Sequence, residues 1–286
     1  MVKILITGAS GFVGTRLMTL LGKTNEVIGT CNTDIVPGLY QLDITNKRAV
    51  HLFIKKHKPD VVIHTAAITN VGVCEKNKKL AEQVNHLGTR NVVEACRETG
   101  SKLVYTSSDY IFDGTRGNYS EQHRPNPLNV YGVTKLRGER AVRSLRNHII
   151  LRFSMLYGYN GKSKRNGFFS LLLQNKPITV RADQLRHPLH VDDLAYSITK
   201  LLEANRRGTF HLAGSQVTTV HELALGLSRL VRLGQNVRLT PVHGSSDDIA
   251  RPHDASLDTT KAQRVGLQFS SLEQGLHKMR NQLREE

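Results

Sequence analysis

Apolar positions in the first half of the chain follow two different spacings. Short unbroken runs at Lys3–Thr7, Glu26–Cys31, 60–64, 102–107 and 148–152 predict strands. Between them, Phe12–Leu21, 46–57, 81–99 and 128–145 repeat apolar residues every three or four positions, which predicts helices. The runs VVIH and LVYT show no polar alternation, as strands covered on both faces require. Strands and helices in this order predict an α/β fold, a parallel sheet doubly wound by helical crossovers.

After Arg152 the alternation breaks. Residues 158–167 (GYNGKSKRNG) are rich in Gly, Asn and Lys and predict a long loop. Helices are predicted at 191–204, 219–231 and 271–283, a strand at 209–212, and a loop at 243–256 (HGSSDDIARPHDAS). There is no internal repeat and no low-complexity linker. The expected division is a sheet domain of 1–152 plus about 188–212. A smaller, discontinuous C-terminal substrate lobe would comprise about 153–187 and 213–286.

Composition narrows the class. The 286 residues suffice for a sizeable core, and 39 % hydrophobic with 22 % charged residues is ordinary for a globular protein. No apolar run approaches the roughly 20 residues of a membrane span. The opening MVKILITGASGFVG reads as a first strand breaking into glycines, not as a signal peptide. Cys31, Cys74 and Cys96 are odd in number and irregularly spaced, which argues against a disulfide framework and for a reducing, cytoplasmic setting. The thirteen histidines lack ligand spacing, so no metal is assigned. A net charge of +16 would attract a nucleotide cofactor, a sugar nucleotide or a nucleic acid. The Lys and Arg residues are spread out, without an aromatic stripe, so nucleic acid is not the expected partner.

The chemistry begins at GASGFVG. Gly8, Gly11 and Gly14, with Phe12 and Val13, sit between the first strand and the first helix. Glycines there permit a tight turn and close approach to a pyrophosphate, and the helix N-terminus offers its N–H groups to phosphate. The second strand ends in Thr30-Cys31-Asn32-Thr33, with no acid before Asp34. Lack of a carboxylate removes a repulsion against a 2′-phosphate, which Asn32, Thr33 and Arg16 could contact. NADP(H) is therefore favoured over NAD(H).

Residues 107–114, SSDYIFDG, end a buried strand in proton-handling groups. Further on, Tyr131 and Lys135 (YGVTK) lie four apart on a predicted helix and share one face. An ammonium beside the phenol is expected to lower its pKa from about 10 and suit it to general acid work.

This order of motifs resembles the extended short-chain dehydrogenase/reductase superfamily, and within it the dTDP-4-dehydrorhamnose reductase group. The matching segments are KILITGASGFVG, LDIT around Asp43, HTAAIT, SSDYIFDG, NPLNVYGVTKLRGE, LRFSMLYG, HVDDLA and RPHDASLD, spread over nearly the whole chain. The resemblance implies a Rossmann sheet, with Ser108, Tyr131 and Lys135 as catalytic residues. It implies cofactor contacts from the glycine loop, Asp43, Ile44, Ala66, Ala67, Asn85, Tyr131 and Lys135. Substrate contacts would come from Asp109, Tyr110 and Met155, with Arg186 and Arg251 toward a diphosphate. The implied reaction is reduction of a 4-keto group on a nucleotide-activated deoxysugar, in a possible homodimer.

Related dehydratases read Ser/Thr-Asp-Glu where this chain has Ser108-Asp109-Tyr110. Without that glutamate no base is placed to remove a C5 proton, which favours reduction. The reductases' Trp after the LR strand is Met155 here, and their Gly-x-Pro-Thr segment is Arg186-His187-Pro188-Leu189. Two alternatives stay open: another sugar-nucleotide epimerase or reductase of the superfamily, and a non-catalytic NADP-binding subunit. The latter would resemble the regulatory subunit of methionine adenosyltransferase.

Overall fold

A computed structural model describes residues 1–160, 178–230, 239–243 and 248–284. The first half alternates as the apolar spacing predicts. Strands β1 (Lys3–Thr7), β2 (Glu26–Cys31), β3 (Tyr40–Gln41), β4 (Val61–His64), β5 (Lys102–Thr106) and β6 (His148–Phe153) form its sheet. The helices are α1 (Phe12–Leu21), α2 (Lys47–His57), α3 (Val71–Lys76), α4 (Lys78–Ala81), α5 (Thr89–Thr99) and α6 (Val130–Val142). Beyond β6 lie β7 (Leu156–Tyr157), β8 (Ile178–Arg181), β9 (Leu185–Arg186), β10 (Leu189–His190) and α7 (Val191–Glu203). The chain continues with β11 (Gly208–Leu212), β12 (Thr218–Thr219), α8 (Val220–Leu230), β13 (Leu239–Val242), α9 (Thr260–Arg264) and α10 (Leu272–Arg284).

Seven strands make one sheet in the order β11-β6-β5-β4-β1-β2-β3, and every neighbouring pair is parallel. β4 and β5 are buried at every position, which is why their sequences do not alternate. One face packs Ile4, Ile6, Ile63, Val104 and Leu151 with Leu17 of α1 and Leu194 and Ile198 of α7. The other packs Leu5, Val62, Leu103 and Ile150 with Val50 and Ile54 of α2, Val92 of α5 and Val142 of α6. A second, smaller core gathers Tyr157, Tyr159, Leu223, Leu227 and Met279 from the later elements.

The helix predicted at 81–99 is longer and less regular than its spacing suggests. It passes from α4 through a π-helical stretch, Glu82–Gly88, into α5. Gly88 lets this stretch lie close on the loop after β3: a Cβ there would come 2.8 Å from Cδ1 of Ile44. Part of the predicted loops at 158–167 and 243–256, and the last residue of the predicted helix 219–231, lie outside the described residues.

A buried ion pair locks α6 to the sheet. Arg152 of β6 and Glu139 of α6 have side chains 1 % and 0 % exposed. Nε of Arg152 donates to Oε1 of Glu139 at 2.9 Å and Nη2 to Oε2 at 2.8 Å. Ser107, just past β5, donates to the same Oε1 at 2.6 Å. Burial opposes the Glu139 charge, but Arg152 and Ser107 outweigh it and hold the carboxyl below its ordinary pKa. Glu139→Gln should therefore strand a buried guanidinium and cost about 3–5 kcal/mol in urea unfolding at neutral pH. The folded pKa is depressed, so this wild-type advantage is present above about pH 4.5 and is lost as the pH falls further.

Candidate functional site

The sheet order reverses between β1 and β4, and a crevice opens past the carboxyl ends of these strands. β1 ends at Thr7, and the chain turns at Gly8 with φ +71°. A Cβ on Gly8 would lie 2.8 Å from both N and Cα of Ala66, in the loop after β4. A Cβ on Gly14 would strike the carbonyl oxygen of Gly8. Gly8 thus joins two loops across the crevice, and Gly14 lets α1 settle on its own turn. Gly11 caps α1 without a side-chain bond, and the first turn has no acidic residue. A positive helix end is thereby left facing the turn.

The opposite wall comes from β5 and α6. Ser108 follows β5 in extended backbone (φ −149°) and caps a short 3₁₀ turn, Asp109–Ile111. Its Oγ accepts from N of Tyr110 at 3.2 Å and donates to Oδ1 of Asp109 at 3.0 Å. Ser154 donates to the other Asp109 oxygen at 2.7 Å. Asn129 caps α6, accepting from N of Gly132 at 2.9 Å. Gly132 has no side chain because a Cβ there would strike the Tyr110 carbonyl. This close approach sets Tyr131 beside Tyr110, whose rings meet edge-on with centroids 5.7 Å apart.

Lys135 lies one helical turn beyond Tyr131 and is 3 % exposed. Its Nζ donates to the carbonyl of Thr106 at 2.6 Å and sits 4.2 Å from the centre of the Tyr105 ring. Burial pulls the Lys135 pKa from 10.5 down to about 7, with Glu139 pulling the other way. Burial drives the Tyr131 phenol well above its ordinary value, opposed by a hydrogen bond with Ser108 and reinforced by Asp109. The sequence led to the opposite expectation, a phenol lowered by its lysine. The correction is physical: both groups are enclosed, and desolvation disfavours the charged form of each.

These elements close around one cleft of about 790 Å³. Gly8, Gly11, Phe12, Val13, Gly14 and Ala67 line it on the glycine-loop side. Ser108, Asp109, Tyr110, Tyr131, Lys135, Met155 and Arg186 line it elsewhere. Ala66 backs Gly8 from behind. Asn32 is exposed just past β2. Asp43, half-buried, holds N and Oγ1 of Thr45, each at 2.8 Å.

Four of the expected residues are engaged elsewhere in the structure. Asn85 does not reach the cleft: it is fully buried and clamps Ile68, accepting from its N at 2.8 Å and donating to its carbonyl at 3.0 Å. The Ile44 side chain belongs to the core beneath α2 and α5. Arg251 donates to the carbonyl of Ile249 at 3.2 Å and is not part of the cleft wall. Arg16 grips Asp192 of α7 through Nε at 2.5 Å and Nη2 at 2.8 Å, which takes it away from a cofactor 2′-phosphate.

Sequence reasoning missed Gln184, Ser154 and Cys74. Gln184 and Ser154 line the cleft, and Cys74 packs beneath Tyr131. Glu139 was also missed, although its spacing, four past Lys135 and eight past Tyr131, marks it as a charge on the helix's buried face. Among the described residues, no cluster of His, Cys, Asp and Glu could hold a metal, and no helix is long and apolar enough to cross a membrane. The three cysteines are free and buried.

A glycine cradle at the switch point, faced by a serine-ended strand and a tyrosine–lysine helix, defines an extended short-chain dehydrogenase/reductase. The chain belongs to the RmlD substrate binding domain family, whose pattern matches residues 2–285. It is similar to the methionine adenosyltransferase 2 subunit beta of Rattus norvegicus, 32 % identical over 282 residues, 93 % of this chain and 83 % of that one. It is also similar to a dTDP-4-keto-6-deoxy-D-glucose reductase of Streptomyces niveus, 34 % identical over 249 residues, 86 % of this chain and 83 % of that one. The crystal structure of dTDP-4-dehydrorhamnose reductase from Bacillus anthracis in complex with NADP superposes with a TM-score of 0.87 at 32 % identity. The match covers 99 % of this chain and all of that one.

The depressed Lys135 pKa has a measurable consequence. Between about pH 7 and 10.5 the unfolded chain holds a proton on Lys135 that the folded chain has released. Stability contributed through this group therefore rises with pH across that window. The unfolding free energy of wild type minus that of Lys135→Met should increase from pH 7 to 10, as followed by urea denaturation.

Proposed function

We propose that this protein reduces a keto group, at C4, on a nucleotide-activated deoxysugar with a nicotinamide cofactor, NADP(H) in preference to NAD(H). The observation that carries the reading is the convergence of Ser108, Tyr131 and Lys135 on the same cleft as the glycine loop. The cradle suits a dinucleotide, since side chains at Gly8 or Gly14 would fill it. The bound cofactor supplies hydride.

The chain's own residues do the rest. Ser108 turns its hydroxyl proton from Oδ1 of Asp109 to the substrate oxygen. Tyr131, kept protonated by burial, gives its phenolic proton to that oxygen as negative charge develops. Lys135 anchors the floor through Thr106 and takes hold of the cofactor ribose. Tyr110 and Met155 shape the sugar side, and the N–H of Tyr110 keeps the Ser108 oxygen in place. Tyr110 occupies the position where a dehydratase needs its glutamate base, which supports reduction over dehydration.

Likeness to the methionine adenosyltransferase subunit beta supports a second reading, a nucleotide-binding partner subunit without turnover. NADPH oxidation followed with dTDP-, UDP- and GDP-linked 4-keto-6-deoxy sugars separates the two. The expected result is turnover by wild type that falls at least about 10²-fold in Tyr131→Phe. Equal background rates for both proteins, with stoichiometric capture of a protein partner, would instead support the subunit reading.

A further inference from the structure

Outside the cleft, a second recess gathers cations that the sequence disperses. It has a volume of about 300 Å³ and is lined by the 121–125 loop, by Leu136, Glu139, Arg140 and Arg143 of α6, and by Arg152 of β6. It shares no lining residue with the cleft. Its floor is the buried pair of Arg152 and Glu139. Arg143, a partly exposed side chain, also reaches Glu139, with Nη2 3.4 Å from Oε2. That contact is the longest of those Glu139 makes, so Arg143 can leave while Arg152 and Ser107 keep the carboxylate in place.

The rim adds charge without adding acid. Arg124 and Arg140 are exposed, and among the described residues neither has a hydrogen bond or an ion pair. Arg137, one turn before Arg140 on α6, is by contrast paired with Glu82 at 2.9 Å. The second acid of the recess is Glu121, whose Oε1 accepts from N of His211 at 2.9 Å. Four arginines thus face two carboxylates across one concave surface, where a field of single sign is focused rather than spread. The fold concentrates here part of a net charge of +16 that the reductase reading leaves unused.

The ligand class follows from the donors. A guanidinium fork matches the oxygens of a phosphate group. The volume is at the small end of ligand pockets, enough for a short run of phosphoryl groups. Among the described residues lining it, none is a Phe, Tyr or Trp on which a base could stack. Recognition would therefore be of phosphate, not of the group that carries it.

We propose that this recess is a second anion site, in which Arg124, Arg140 and Arg143 close on consecutive phosphoryl groups above the Arg152–Glu139 floor. The phosphoryl groups have two sources, a free polyphosphate chain, inorganic or borne by a nucleotide, or the backbone of a nucleic acid.

The test is titration of three proteins with tripolyphosphate, ATP and a short RNA duplex at low and at physiological salt. The proteins are wild type, the recess variant Arg124→Gln/Arg140→Gln and the control Arg146→Gln/Arg229→Gln. The control removes the same charge from exposed positions outside the recess. Arg124 and Arg140 hold nothing in the protein, so their removal should leave the melting temperature as it is. Phosphate binding in the cleft is common to all three proteins, so the difference between them reports the recess alone. The recess variant should lose about tenfold or more in affinity, or one class of sites, while the control stays close to wild type. Loss toward tripolyphosphate and ATP assigns a free polyphosphate. Loss toward RNA alone, with binding that weakens steeply as salt rises, assigns a nucleic-acid backbone. Equal affinities of the recess variant and the control for every probe, or no binding of any probe by wild type, overturn the site. None of these outcomes depends on NADPH oxidation, so failure here is distinct from failure of the reductase reading.

Discussion

A carboxylate and a guanidinium sealed from water, Glu139 and Arg152, cross from α6 to β6 and tie together the parts of the cleft. Charges in that environment persist only when paired with good geometry, so their positions are tightly fixed. Glu139 also accepts from Ser107, the residue before Ser108. One carboxylate thereby fixes the end of β5 and the rotation of α6 about its axis. Ser108 faces the cleft because its neighbour is held the other way. Tyr131 and Lys135 face it because Glu139, on the same stripe of α6, is held inward. The serine, the tyrosine and the lysine are thus brought together by a pair that touches none of the chemistry.

The same pair shapes the electrostatics. Glu139 favours the charge on Lys135, but complete burial outweighs it and brings the lysine pKa down to about 7. Below this layer, His64 is also enclosed and pushed down to about pKa 3 by burial and by Lys135. It bridges Oγ1 of Thr7 at 2.6 Å and of Thr89 at 3.0 Å as a neutral ring. Neutral hydrogen-bonded groups under the cleft give it a rigid floor without competing charge.

Much of the architecture was legible because the sheet imposes its requirements locally. Strands covered on both faces have to be continuous apolar runs, and parallel neighbours need helical crossovers, so KILIT, VVIH and LVYT revealed their places. Gly8 and Gly14 were legible for a similar reason, since a close approach of backbone excludes any side chain. The two-residue strands after β6 were not, because they are too short for a period to develop. The fates of Asn85 and Arg16 depended on partners distant in sequence, Ile68 and Thr134 for the first and Asp192 for the second, while Arg251 donates to the nearby carbonyl of Ile249. Polar side chains of this kind read alike in sequence whether they meet ligand or protein.

Burial also explains why the phenol and the lysine depart from the expected polarity, and the departure has a direction that bears on chemistry. A tyrosine with a lowered pKa would serve best as a base, drawing a proton from an alcohol. A tyrosine held neutral by its surroundings starts as a proton donor, the role that reduction requires. One influence lowers its pKa, the Ser108 hydrogen bond, and the substrate oxygen becomes a stronger base as hydride arrives, so the proton has somewhere to go. The enclosure that opposes ionisation at rest therefore favours transfer once a basic oxygen forms beside it. In this view Ser107, Glu139 and Arg152 contribute to reactivity by keeping the pocket closed and its geometry fixed, and the reacting groups need no charge of their own before the reaction begins.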